Sequence, residues 1–178
     1  MRKTTAIFIV LLVFSQLIVG QSNEIKTKID SLQYLKQEPF SCNSVYWRVV
    51  AIGKNAIPFL IDKLDDTTKT QISLTCKRTN VKFGDICFEA LTEIINIPLF
   101  YVTNRQFDFI DQYGCQHGVF KYLDNNRQQF KSQILDYYNK YKEELKFLKY
   151  DKEYKNECKR KNKIFGYYNI DSKLLQHR

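Results

Sequence analysis

The sequence predicts an all-α protein, a small array of helical hairpins with a long C-terminal helix. Three observations carry that expectation. Residues 44–66 read as two short apolar helices separated by a glycine turn. Apolar positions recur at helical spacing in three further stretches, near residues 24–37, 86–96 and 127–150. The one candidate for extended structure, Gln71–Thr75, is short and lies inside a polar link.

Taken in order, the chain begins with Arg2 and Lys3 ahead of an apolar run, Ala6–Val19, interrupted only by Ser15 and Gln16. Gly20 is a small residue suited to the position before a cleavage site. That layout predicts a secretory signal peptide over residues 1–20 and a mature chain beginning at Gln21. The run is short for a span of about 20 apolar residues, so a membrane anchor fits it less well. No cysteine stands near the cleavage position to carry a lipid. Later apolar stretches are short and interrupted by charge, so no stable membrane insertion is expected after the leader is removed, and the expected location is the periplasm or the exterior.

Net charge is +9 for the whole chain, and its distribution is uneven. Lys140–Arg178 holds 12 Lys/Arg against 6 Asp/Glu, whereas residues 21–139 hold 14 against 13. The basicity therefore belongs to the C-terminus. Residues 21–150 are expected to form one helical domain and 151–178 a basic tail.

Ile25, Ile29, Leu32 and Leu35 place an amphipathic helix before Pro39. In the next stretch Val45, Tyr46, Trp47, Val49, Val50 and Ile52 leave only Arg48 for solvent, the pattern of a buried helix, with Ser41 or Asn43 as cap. Gly53 suits a left-handed helix end, Asn55 a second cap, and Pro58 a first helical turn. Ile57, Leu60, Ile61 and Leu64 then form one stripe expected to face the first helix. A polar insertion, Thr67–Asn80, follows and reads as an ordered loop. Asp85 is the expected cap of helix Ile86–Asn96, whose stripe is Cys87, Ala90, Leu91 and Ile94, and Pro98 stops it. Aromatic residues and Gly114 and Gly118 mark Leu99–Tyr122 as short helix and turns. Asp124, Asn125 and Asn126 precede the longest pattern, Phe130, Ile134, Tyr137 or Tyr138, Tyr141, Leu145 and Leu148, a helix over Arg127–Tyr150.

The sequence AIPFLIDKLDD at Ala56–Asp66, following a helix and a glycine turn, resembles the inner helix of a HEAT-type repeat. VKFGDICFEALTEI, Val81–Ile94, is similar to the outer helix of a following repeat. The link between them is longer than that family uses. As a whole the chain resembles small exported proteins of Gram-negative bacteria, among them immunity proteins that neutralise toxins. That resemblance implies an interaction scaffold with a protein partner, a toxin in its sharpest version, and no cofactor.

Five cysteines, Cys42, Cys76, Cys87, Cys115 and Cys158, are disulfide candidates in an exported chain. The odd count leaves 15 possible two-bridge patterns, among which Cys76–Cys87 would tie the insertion to the next helix. Cys42 and Cys87 read equally as buried thiols. Asp111, Cys115 and His117, with Asp108 nearby, form the one cluster open to an enzyme or metal reading. Cys-x-His is not a recurrent zinc spacing, and a Cys/His pair so close on a loop rarely converges for nucleophilic work. A structural accessory of the envelope is a third reading. The Lys- and Tyr-rich C-terminus has the composition of a single-strand binder, but its acidic residues and expected export argue against nucleic acid. The expected recognition surface is Asp62, Asp65 and Asp66 together with the insertion and its Lys77 and Arg78.

Overall fold

The computed structural model describes residues 20–37, 42, 44–77, 79–107, 118–151 and 156–175. Helix α1 (residues 20–30) tightens into a 3-10 turn, Ser31–Tyr34. Then follow α2 (Ser44–Val50), a 3-10 turn at Gly53–Ala56 and α3 (Ile57–Asp62). The middle of the chain holds α4 (Phe83–Ile94), α5 (Leu99–Thr103), α6 (Val119–Asn125) and α7 (Arg127–Tyr141). After these come β1 (Lys146–Lys149), α8 (Glu157–Lys161), β2 (Gly166–Asn169) and a last 3-10 turn, Ser172–Leu175.

Helix α4 is the axis of this arrangement. Phe83, Ile86, Cys87, Phe88, Ala90, Leu91 and Ile94 are all buried, so the helix is apolar on most of its circumference. Burying Ile86, Leu91 and Ile94 contributes about 1.5–3 kcal/mol each by apolar transfer. Around α4 pack α2, α3, the turn after α1, and β2. The stripe Ile57, Leu60, Ile61 and Leu64 is buried as its period predicts. It meets α4, however, and not chiefly the first helix of the pair. The four apolar residues of α1 and its turn are buried too, and Arg48 is the exposed position of α2.

Gly53 has φ +67°, the left-handed conformation expected of it. Asn55 does not cap α3. The 3-10 turn absorbs it, and Ala56 holds the position before the helix with no side-chain cap. Asp85 is likewise not the first residue outside α4, because the helix starts two residues earlier at Phe83. From the third helical position its carboxylate accepts the backbone N–H of Lys82 at 2.8 Å, and so still satisfies an end donor.

The C-terminal third departs most from a purely helical fold. Helix α7 buries Arg127, Phe130, Ile134, Tyr137 and Tyr141 on one face and stops at Tyr141, nine residues before the expected end. Lys146–Lys149 instead forms an antiparallel pair with Gly166–Asn169, placing Phe147 opposite Tyr168 and Lys149 opposite Gly166. Only glycine fits at 166, where a Cβ would stand 2.1 Å from the Leu148 carbonyl oxygen. The stretch beyond Tyr150 also packs against the rest of the molecule. Ile164 and Ile170 are buried, and Asn96 donates its N–H to the Tyr168 carbonyl at 2.9 Å. Cys158 is bonded to Cys42 across 116 positions. In the chain-entropy account, closing a loop of that length stabilises the fold by about 5 kcal/mol.

Cys76 is also disulfide-bonded. The Cys76–Cys87 pairing is thus corrected, since Cys87 is a free thiol. It sits on the inward face of α4, fully buried, where it packs as a small apolar residue.

Candidate functional site

The Thr67–Asn80 insertion follows the turn after α3, which ends at Asp62, and the sequence gives it three attachments. Thr70 donates its backbone N–H and its hydroxyl to the Val81 carbonyl, at 3.0 and 2.9 Å. Phe83 donates its N–H to the Thr68 carbonyl at 2.8 Å. Leu74 and Lys77 exchange backbone hydrogen bonds, which closes a tight turn at the tip, and Ile72 and Leu74 are buried.

The third attachment is ionic. Lys77 reaches inward with only 9% of its side chain exposed and donates to Asp85 Oδ2 and Asp124 Oδ2, each at 2.7 Å. Arg127 Nη2 lies 2.7 Å from Asp85 Oδ1 and 2.6 Å from Asp124 Oδ1, and Lys82 Nζ adds a contact to Asp124 at 3.3 Å. Asp85 is fully buried, so the ion pairs on both its oxygens compensate its desolvation. Burial raises the Asp124 carboxyl, but hydrogen bonds from Lys77 and Arg127 outweigh it and bring the pKa down to about 2. Through this cluster the loop is fixed to α4, α6 and α7 at once.

Beside the fixed loop runs a groove of about 330 Å³, lined by Gln33, Tyr34, Leu35 and Lys36 on one side and Lys69–Gln71 on the other. Tyr34 is 74% exposed. An ion pair of 2.8 Å between Asp30 and Lys63 holds the end of α1 near the end of α3, so both walls are anchored. The arrangement offers one bare aromatic ring next to amide, hydroxyl and ammonium groups.

The acidic residues expected on this face are partly engaged within the molecule. Lys131 Nζ lies 3.3 Å from Asp62 Oδ1 and 3.0 Å from Asp65 Oδ1. Asp66 accepts the Thr68 N–H at 2.8 Å. Lys77 belongs to the buried cluster. Arg78, together with Asp108, Asp111, Cys115 and His117, lies outside the described residues, as do residues 1–19 of the expected leader.

A second charged group sits farther along α4. Glu93 Oε2 is 2.5 Å from Lys159 Nζ, which also donates to the Tyr150 hydroxyl at 2.9 Å. Glu89, one turn earlier, is pushed up to about 7, first by burial and then by the charges of Glu93 and Asp85.

The long-range pairs that build the two groups are 42 to 66 positions apart in the chain, and their only sequence signal is composition. Arg127 falls on the same face as Phe130 and Ile134, a helical position where a cation is unexpected. That misfit alone could have marked it. Tyr34 stands one residue before Leu35, out of phase with the buried stripe, and was legible as exposed. No family model matches the chain, and no curated protein or solved structure matches it either.

Proposed function

We propose that the chain is an exported, HEAT-like helical module that grips one protein partner, in the manner of an immunity protein that neutralises a toxin. The observation that carries the reading is the groove at Tyr34, an exposed aromatic beside a loop fixed by a buried ionic cluster. Binding energy at protein interfaces concentrates in a few aromatic and Arg anchors, and a preorganised loop loses little entropy on binding.

The test is capture of a partner by the chain from Gln21 onward, identified by mass spectrometry and then titrated by calorimetry. Tyr34→Ala is expected to weaken that complex by about thirtyfold, the scale of an interface hot spot, while Tyr34→Phe keeps most of the affinity. Charge reversal at Asp65 and Asp66 is expected to slow association and, because it breaks the Lys131 ion pair and the Thr68 hydrogen bond, to lower the melting temperature by a few degrees. Equal affinity in Tyr34→Ala and the parent would remove the groove from the binding surface. For the immunity version, co-expression should rescue cells from the captured partner's toxicity.

A further inference from the structure

We propose that the β1–β2 hairpin is a separate contact surface for an anionic phospholipid membrane. All four side chains of β1 are exposed, and because neighbours on a strand point to opposite faces, both faces of this strand stand in solvent. Phe147 is 46% exposed and Leu148 40%; Phe165, just before β2, is 59% exposed. These are three of the large apolar side chains that the described surface leaves bare: Phe147 and Leu148 stand on opposite faces of β1, and Phe165 lies just outside the ladder.

Among the described residues between the two strands and on β1 the exposed, unpaired charges are mainly positive, Lys146, Lys149, Arg160 and Lys163 against Asp151, with Lys161 paired to Glu157; the exposed acids Glu143, Glu144 and Asp171 lie just before β1 and just after β2. Apolar side chains framed by lysines are the composition of an interfacial membrane contact, in which the rings enter the headgroup layer and the ammonium groups meet lipid phosphates. The hairpin is also held firmly from behind. Lys159 is tied to Glu93, Asn96 to the Tyr168 carbonyl, and Cys158 to Cys42, so insertion need not order a loose segment.

Two other occupants fit less well. A polypeptide strand added to the free edge of β1 would have to pass Lys146 and Lys149, the side chains that commonly blunt such edges. Single-stranded nucleic acid needs free ring faces for stacking. Here Tyr150 lies against Tyr167, with centroids 5.7 Å apart and planes 34° apart, and Phe147 packs edge-on against Tyr168 at 5.3 Å.

The experiment is vesicle sedimentation with the chain from Gln21 onward, whose described core begins at Ile25. Vesicles of equal phosphatidylglycerol and phosphatidylcholine are compared with pure phosphatidylcholine in about 0.1 M salt, where charges act over roughly 10 Å. Binding is expected at least about tenfold stronger on the anionic vesicles. Lys146→Gln and Lys149→Gln should each weaken it by about fivefold. The triple variant Phe147→Ser, Leu148→Ser, Phe165→Ser should lose at least about tenfold. Phe165→Ser alone, outside both strands, gives a smaller loss in a variant whose fold is easily checked by melting. Equal binding to both vesicle types overturns the proposal. So does undiminished binding by the folded triple or single serine variant, or an oligothymidylate that binds more tightly than vesicles with the same side-chain dependence. A hairpin variant that loses vesicles but still captures the partner of the Tyr34 groove separates the two surfaces.

Discussion

Two groups of charge lie along α4 and respond to their surroundings in opposite ways. At the start of the helix, Asp85 occupies the third helical position, where the helix dipole favours an anion, and three cations gather around it and Asp124. Farther along, Glu89 and Glu93 sit one turn apart, with Lys159 paired to Glu93, which lies in the last turn, where the dipole opposes negative charge. Asp124 is held at about 2 and Glu89 is pushed up to about 7. Both are carboxylates near one helix. What separates them is the number of cations within reach and the solvent each has lost. The first group locks a loop, whereas the second changes its charge near neutral pH.

The comparison breaks most visibly at Asp85. Asp85→Ala leaves Lys77 and Arg127 buried beside a single carboxylate and is expected to cost about 3–5 kcal/mol, read from urea unfolding at pH 7. A loss below about 1 kcal/mol would mean that the two ends of α4 are equivalent after all. Lys159→Ala should cost less, about 1–3 kcal/mol, because it removes hydrogen bonds of a charged group at a partly wetter site. Its penalty should be greater at pH 8 than at pH 5, since Glu89, pushed up to about 7, adds its charge to the same stretch of α4 at the higher pH. An equal loss at the two pH values would detach Lys159 from Glu89.

The smallest effects are the pH slopes. Glu89 has a folded pKa above its ordinary value of 4.5, so its contribution is complete below that value and is lost as pH rises toward 7. Asp124 has one below its ordinary 3.8, so its contribution is present above that value and is lost as pH falls toward 2. Melting temperature should therefore decline gently from pH 4.5 to 7 in the parent and stay flatter in Glu89→Gln. Asp124→Asn should flatten the acid limb instead. Identical profiles for Glu89→Gln and the parent would show that Glu89 is ionised throughout.

Much of the helical core was legible because one period repeated. Ile25, Ile29, Leu32 and Leu35, then Ile57, Leu60, Ile61 and Leu64, each fall on one face and each are buried. Strand β1 was not legible. Tyr141, Leu145 and Leu148 extend the helical period of α7 for two more turns, and four residues of KFLK are too few to show alternation. What decides for a strand is Gly166, some 17 positions beyond its end, which lets the Leu148 carbonyl approach. The disulfide was legible as a compartment argument but not as a pairing, because the burial of Cys87 depends on what packs around α4. The Tyr34 groove was half legible. Its loop was marked by length and polarity, but its other wall comes from the end of α1, which no local pattern joins to it.

The Cys42–Cys158 bond also governs how the chain must be made. At ordinary synthesis rates of about 5–20 residues per second, Cys42 exists for roughly 6–23 s before its partner is added. During that interval Cys76 and Cys87 appear first, and both are nearer in sequence. Early formation of α4 would take Cys87 out of exchange by burying it, leaving Cys76 as the wrong partner most within reach. Correct oxidation thus waits for nearly the last stretch of the chain, and a cell that makes this protein in quantity needs a disulfide-shuffling catalyst more than it needs a faster oxidant.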